Sequence, residues 1–291
     1  MQLFGGDWTE QKLAVLKEYL CAYTTALKKQ PFRTVYVDAF AGTGYREVKD
    51  KGNDEAMIFE DLAEDEPQEF LDGSAQIALN VKPAFSAYAF VERSRKRVLE
   101  LEKIKEHFPD RSDCICIKHS DANEYIQEWC AEMDWKSWRA VLFLDPFGMQ
   151  VDWDTMKAVA ETGTIDLWAL FPVSAVNRLL VKDCDQLPDT WKIRLNRIFG
   201  SEEWRDVFYE EKRQGVFPWA QGEVGKRGSL GIIAAHYQKR LASIFPNVAD
   251  NPRTLTNSRN TPLFTLHFAA ANPGQGGKIA IRIAQHILKE M

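Results

Sequence analysis

Short apolar segments alternate with amphipathic segments along most of the chain. Residues 140–144 (AVLFL) and 167–171 (LWALF) are apolar at successive positions, which is typical of strands buried on both faces of a sheet. The segments between such strands carry apolar residues at helical spacing. This alternation predicts an α/β fold with a doubly wound, mostly parallel sheet and helices on both faces. The predicted strands are 35–37, 85–91, 114–117, 140–144, 165–171 and 261–269, and the predicted helices are 9–29, 74–81, a segment from Ser94, 122–133, 153–161 and 278–290.

A different pattern begins after Pro172. Residues 174–246 follow helical spacing around a glycine- and aromatic-rich connection, QGVFPWAQGEVGKRG. We therefore predict an inserted helical cap over 174–260, acting as a substrate or partner region. Residues 1–173 and 261–291 are predicted to form the α/β domain. The helix caps expected in the insertion are Ser174, Asp189, Ser201 and Ser229.

Composition adds a marked charge asymmetry. The chain has 291 residues and 45% hydrophobic content, enough for one large domain with an insertion. It shows no secretory signal and no apolar run of membrane-spanning length, so we expect a cytoplasmic protein and no membrane partner. The formal net charge is −5, but residues 47–72 alone carry −9 in a polar loop predicted over 45–72. The rest is mildly basic, and the five cysteines lack metal-ligand spacing, so no metal site is expected.

Acidic residues stand at the ends of four consecutive predicted strands. Carboxyl ends of parallel strands meet at one edge of a sheet, and open α/β sheets bind their ligands there. We therefore expect these side chains to share one site. In strand order they are Asp38, Glu92, Asp121 and Asp145.

The first of these acids is followed by a glycine turn, DAFAGTG, which contains Gly42 and Gly44. The turn lacks the third glycine of a dinucleotide fingerprint and the Lys-Ser/Thr pair of a P-loop. It favours a ligand approached closely by backbone, although a sharp corner after a buried strand explains it equally well. Two acids also have alternative interpretations: Glu92 as a solvated surface acid, and Asp121 as a helix cap.

Together these residues resemble the class I S-adenosylmethionine-dependent methyltransferases. DAFAGTG is similar to their Asp-x-Phe-x-Gly-x-Gly loop, and LDPF at residues 144–147 is similar to their motif after strand four. The resemblance implies a Rossmann-like methyltransferase sheet that binds S-adenosylmethionine, with Glu92 on the ribose and catalytic roles for Asp145 and Phe147. The cofactor-binding residues that it implies are Asp38, Ala39, Phe40, Gly42, Gly44, Glu92, Ser120 and Asp121.

A longer set of motifs resembles the three-Cys-motif partner proteins. It comprises WTEQKLAVLKEYLCAYTTALKK, DAFAGTG, FLDGSAQIAL, FVERS, FLDPFGM and FAAANPGQGGKIA. This resemblance implies a protein partner that carries a three-cysteine motif, but it names no substrate.

The motif after strand four departs from the amino-group methyltransferases. Pro146 stands alone where those enzymes usually have two prolines, so the resemblance does not imply transfer to an exocyclic nitrogen. The acceptor stays open, and a catalytically silent binding module is the alternative function. Nucleic acid is a further candidate partner, because basic and aromatic residues lie together at His236, Tyr237, Lys239 and Arg240, although a solvated helix face explains them equally well.

Overall fold

A mostly parallel sheet forms the centre of the protein in the computed structural model, which describes residues 7–41, 73–146, 148–211 and 224–290. Most of its strands are predominantly buried, as their apolar sequences require. A separate hairpin pairs β6 (Tyr209–Glu211) with β7 (Val224–Lys226). The main sheet contains β1 (Arg33–Asp38), β2 (Ala87–Glu92), β3 (Ile115–His119), β4 (Trp138–Leu144), β5 (Ile165–Phe171), β8 (Asn247–Val248), β9 (Arg253–Thr256) and β10 (Pro262–Ala270).

The strand order places β1 at the centre of a doubly wound sheet. The order is β3-β2-β1-β4-β5-β10-β8, with β9 also paired to β10. Strands β1 to β5 are parallel, whereas β10 runs antiparallel to β5, β8 and β9. The chain winds from β1 toward β3 and then returns to β4 on the other side, so the strand order reverses beside β1. The predicted α/β fold with a mostly parallel, doubly wound sheet is confirmed.

Helices cover both faces of this sheet. In the described part of the chain, none of them combines the length and apolar character needed to cross a bilayer. Their bounds are α1 (Asp7–Leu27), α2 (Gly73–Asn80), α3 (Arg95–Glu102), α4 (Ile104–His107), α5 (Ala122–Glu132), α6 (Trp153–Glu161), α7 (Val173–Leu179), α8 (Asp189–Phe199), α9 (Trp204–Phe208), α10 (Leu230–Ala242) and α11 (Gln275–Glu290).

Two side chains of β5 identify the two helical layers. Trp168 contacts Tyr19 of α1 with ring centroids 5.2 Å apart, while Phe171 stacks on Tyr237 of α10 at 4.0 Å. Positions 168 and 171 differ by an odd number, so they point to opposite faces of the strand. Helix α1 also contacts α2 and α11, which places these three helices together.

The region predicted as a helical cap does contain helices α7 to α10, but parts of it join the α/β core. Helices α7 and α10 contact β10, and the short strands β8 and β9 complete the main sheet. The hairpin β6–β7 was not predicted. The boundary of a separate cap at 174–260 stays a prediction.

The predicted helix starts in this region are partly wrong. Ser229 does cap α10, because its Oγ accepts a hydrogen bond from the Ile232 backbone N–H. Ser174 lies inside α7, and Ser201 precedes an α9 that begins only at Trp204. Asp189 is the first residue of α8, one position later than a cap. Serine and aspartate also occur within helices and turns, so residue type alone does not locate a cap.

Candidate cofactor and active site

Asp38 ends the central strand β1 and is almost completely buried. Its Oδ2 accepts a hydrogen bond of 2.6 Å from the Ser74 hydroxyl in the first turn of α2, and its Oδ1 accepts one of 3.2 Å from the Phe40 backbone N–H. Burial raises the pKa of Asp38 to about 7, and the charge of Asp145 raises it further, against the lowering effects of Ser74, Phe40 and Lys12. The carboxyl group is therefore poised to change charge near neutral pH.

Asp145, at the end of β4, forms an ion pair with Lys12 of α1. The Lys12 Nζ lies 2.5 Å from Asp145 Oδ2, and the lysine side chain is only 4% exposed. The same ammonium lies 4.5 Å from the centroid of the Trp8 ring, one helical turn earlier. The N-terminal helix thus contributes a buried cation to the strand-end acids.

Sequence reasoning missed Lys12. A lysine on an amphipathic helix is ordinarily expected on the solvent face. The available signal was its spacing, because Lys12 lies four residues from Trp8 and four from Leu16, both of which are buried. A lysine within the apolar stripe of a helix that covers strand ends was therefore a candidate for an ion pair with an acid.

Glu92 is buried at the end of β2, so its interpretation as a solvated surface acid is wrong. Its Oε1 accepts a hydrogen bond of 2.6 Å from the Ser94 backbone N–H, while Arg93 between them is exposed. The backbone N–H of Ser120 donates to the Glu92 carbonyl oxygen at 3.2 Å. The structure therefore brings Ser120 beside Glu92, at neighbouring strand ends.

Asp121 acts as the N-cap of α5. Its Oδ1 accepts hydrogen bonds from the backbone N–H groups of Asn123 and Glu124, at 2.9 and 3.4 Å. The helix-cap interpretation is therefore confirmed for this oxygen. Both bonds use the same oxygen, so a contact from Oδ2 to a ligand stays compatible with the capping role.

The chain after β1 stays close to both neighbouring strands. The Ala39 N–H donates to the Phe143 carbonyl of β4, and the Ala41 N–H donates to the Val91 carbonyl of β2. Ala39 and Phe40 are therefore held at the point where the strand order reverses, which is where doubly wound sheets bind ligands. Gly42, Gly44, Phe147 and the acidic segment 45–72 lie outside the described residues, so their predicted roles stay predictions.

The combined charges of this edge favour a cationic ligand group. Asp38 and Asp145 carry two potential negative charges against the single positive charge of Lys12, in a largely buried environment. The neighbouring phenol of Tyr36 stays protonated, since burial and the charges of both acids raise its pKa. S-adenosylmethionine carries a sulfonium and an ammonium group, so the residues present fit this cofactor.

The basic and aromatic residues of α10 have a different role. His236 packs between the rings of Phe199 and Phe208, and Tyr237 stacks on Phe171, so both rings are buried. Arg240 donates to the Phe199 carbonyl oxygen at 2.9 Å. These side chains hold α10 in place, and the two rings are not available for stacking on nucleic-acid bases. Nucleic-acid binding elsewhere on the protein stays a prediction.

Comparisons with known proteins support the fold. No family model and no curated protein matches the sequence. Protein LPL1258 from Legionella pneumophila, of family DUF519, is 12% identical, with a TM-score of 0.50 over 99% of this chain and 93% of that one. The chain also resembles the candidate methyltransferase YhhF from Escherichia coli, with 12% identity and a TM-score of 0.30 over 72% of this chain and 84% of that one. Spermidine synthase from Thermotoga maritima is 11% identical, with a TM-score of 0.44 over 96% of this chain and 63% of that one. The likeness to LPL1258 shows a shared fold, and nothing further is drawn from the two weaker ones.

Proposed function

We propose that this protein is an S-adenosylmethionine-dependent methyltransferase. The observation that carries the proposal is the meeting of Asp38, Glu92 and Asp145 at the carboxyl edge of β1, β2 and β4, beside the reversal of strand order. Buried acids are costly unless they are paired or bind a ligand, so the buried Asp38 and Glu92, together with the half-buried Asp145 on the next strand, indicate a binding site.

The three acids suit two parts of the cofactor, the ribose and the ammonium group. Glu92 ends the strand next to β1, where a carboxylate accepts hydrogen bonds from ribose hydroxyls. Asp38 and Asp145 provide negative charge for the ammonium group. Ser120, whose backbone N–H donates to the Glu92 carbonyl oxygen, and Asp121, which follows it, are proposed to contact the adenine. The cofactor then spans the edge from β3 to β4.

When bound, the cofactor supplies a methyl group on a positively charged sulfur. The protein's part is to align the acceptor, exclude water and, where needed, take up a proton. Asp145 Oδ2 is held by Lys12, which leaves Oδ1 to accept a hydrogen bond from an N–H or O–H group of the acceptor. We therefore assign Asp145 the role of orienting the acceptor, with Phe147 proposed to contact it.

The alternative, a catalytically silent binding module, also has an observation in its favour. The ion pair with Lys12 already balances the charge of Asp145 and occupies its Oδ2, so this oxygen is not available to an acceptor. In this alternative the adenosyl pocket stabilises a surface that binds the three-cysteine-motif partner. Both versions include that partner as a proposal.

Calorimetric titration with S-adenosylmethionine tests the cofactor site. We expect Glu92→Ala and Glu92→Gln to weaken binding by about 10- to 100-fold, the loss expected for hydrogen bonds to a charged group. Glu100→Ala, which removes an exposed acid of α3, is the matched control and should bind as the wild type does. Folded protein that binds no S-adenosylmethionine would refute the proposal.

A radiolabelled methyl donor separates the two functions. The assay offers total RNA, DNA and protein extracts as acceptors to the wild type and to Asp145→Asn, each with and without the three-cysteine partner. Transfer that Asp145→Asn loses supports the enzyme. Cofactor binding without transfer to any of these acceptors supports the silent module.

A further inference from the structure

The first two turns of α1 place three buried polar side chains beside the strand-end acids. Trp8, Thr9 and Lys12 are each less than 5% exposed. Positions three and four apart are neighbours on a helix surface, so Trp8 and Thr9 both lie next to Lys12. Lys12 in turn contacts Asp145 and lowers the pKa of Asp38.

Two of these side chains hold donors that the described residues leave unused. The Trp8 indole Nε1–H and the Thr9 hydroxyl have no hydrogen-bond partner in the described part of the chain, although both atoms are shielded from solvent. Buried polar groups are nearly always hydrogen-bonded, because an unpaired one is costly. Unused donors beside a buried ammonium indicate a place for an anionic acceptor.

The strand ends present the opposite chemistry a short distance away. Asp38 and Asp145 attract a cationic group, whereas Trp8, Thr9 and Lys12 offer donors to an anionic one. An α-amino acid carries both groups on one carbon. We propose that Trp8, Thr9 and Lys12 bind the α-carboxylate of the cofactor's amino-acid end, while Asp38 and Asp145 bind its ammonium group.

This inference rests on the proposed function and makes α1 part of the cofactor site. The ammonium of Lys12 has three N–H donors, so it can bond Asp145 Oδ2 and a ligand carboxylate at once. With both acids ionised, the two acids and the lysine sum to one negative charge. Bound S-adenosylmethionine contributes one net positive charge, which offsets the net charge of these three residues.

Three ligands that share the adenosyl group test the inference by calorimetry. S-adenosylmethionine has both the ammonium and the carboxylate, decarboxylated S-adenosylmethionine lacks only the carboxylate, and 5′-methylthioadenosine lacks both of them and the sulfonium charge. We expect the wild type to bind S-adenosylmethionine at least about 10-fold more tightly than the decarboxylated ligand, as a charge-assisted hydrogen bond predicts. That preference is the readout for every variant.

Lys12→Met and Thr9→Val are the informative variants, and Lys17→Met is the matched control because Lys17 is exposed on the same helix. We expect Lys12→Met to weaken S-adenosylmethionine binding by about 30-fold and Thr9→Val by about 5-fold. Both should bind the decarboxylated ligand and 5′-methylthioadenosine within about 3-fold of wild type. A purely structural role for Lys12 would weaken all three ligands equally.

The possible failures are distinguishable. An unchanged preference in Lys12→Met and Thr9→Val, or no preference in the wild type, overturns this inference and leaves the adenosyl site intact. No binding of any ligand, 5′-methylthioadenosine included, overturns the proposed function as well. Should Lys12→Met not fold, Thr9→Val and Lys12→Arg decide: Lys12→Arg should retain the preference and Thr9→Val should lower it.

Discussion

Two buried aspartates of the central sheet have the same raised pKa and different surroundings. Asp38 ends β1 among Ser74, Asp145 and Lys12, whereas Asp166 lies at the second position of β5, where the Tyr19 hydroxyl donates to it at 2.7 Å. Burial raises the pKa of each carboxyl to about 7. A second carboxylate raises the pKa of Asp38 further, whereas no other carboxylate among the described residues raises that of Asp166.

The difference teaches that a shifted pKa does not by itself identify a functional residue. Both acids are shifted mainly because they are buried. Position separates them: Asp38 stands at the carboxyl edge of the sheet where strand order reverses, and Asp166 stands near the opposite edge. We therefore include Asp38 in the proposed cofactor site and assign Asp166 to the attachment of α1 to β5.

The largest expected effect is on cofactor binding. Asp38→Asn should weaken S-adenosylmethionine binding by at least about 100-fold, because it removes a buried negative charge from beside a cationic ligand. Asp166→Asn, the matched control, should stay within about 3-fold of wild type. Equilibrium dialysis with labelled cofactor measures both. Equal losses in the two variants would remove the distinction between these acids.

The next effect is on stability as a function of pH. Each carboxyl has a pKa of about 7 in the folded protein, against an ordinary aspartate value of 3.8. The folded carboxyl holds its proton more tightly than the unfolded one, so this proton contributes to the free energy of unfolding. The contribution is complete below pH 4 and is lost as pH rises through 7.

Each asparagine variant lacks one of the two carboxyls, so it escapes the loss of stability that this carboxyl causes as pH rises. The free energy of unfolding of Asp38→Asn and Asp166→Asn, relative to wild type, should therefore increase between pH 4 and 8, by up to about 4 kcal/mol for each. Urea denaturation across this range measures the difference. A difference that does not change with pH would show that the carboxyl is already ionised at low pH.

Removing the partner of Asp166 should affect stability alone. Tyr19→Phe deletes the hydroxyl that donates to this buried carboxyl, at an expected cost of about 1–3 kcal/mol in the free energy of unfolding. S-adenosylmethionine affinity should not change. Thermal and urea unfolding measure the free energy of unfolding, and calorimetry measures the affinity. Reduced affinity would mean that α1 transmits the change to the site.

Removing a partner of Asp38 should have the smallest effect and should appear in binding. Ser74 lowers the pKa of Asp38, so Ser74→Ala should raise it and leave less of the acid ionised at neutral pH. We expect S-adenosylmethionine binding to weaken by about 3- to 10-fold at pH 7 and to recover partly at pH 9. A loss that is independent of pH would contradict this role for Ser74.

The sequence was sufficient to predict secondary-structure elements such as β4 and β5, and the edge of the sheet where the acids meet. Apolar runs located β4 and β5 within two residues, because strands buried on both faces show a strong local pattern. The acids at strand ends then followed from the parallel topology.

Other features depend on contacts between distant parts of the chain. The antiparallel direction of β10 and the burial of Glu92 and Lys12 are set by packing, which local periodicity does not encode. Lys12 and Asp145 are 133 residues apart in the chain, so no local pattern pairs them. The hairpin β6–β7 was missed because both strands are only three residues long.

A crystal structure with bound S-adenosylhomocysteine tests the central claim most directly. The account predicts that the ribose hydroxyls lie within hydrogen-bond distance of Glu92, that the ammonium lies beside Asp38 and Asp145, and that the carboxylate lies beside Lys12 and Thr9. A ligand bound away from the carboxyl edge of β1, β2 and β4, or bound there with adenine beside Lys12, would contradict it.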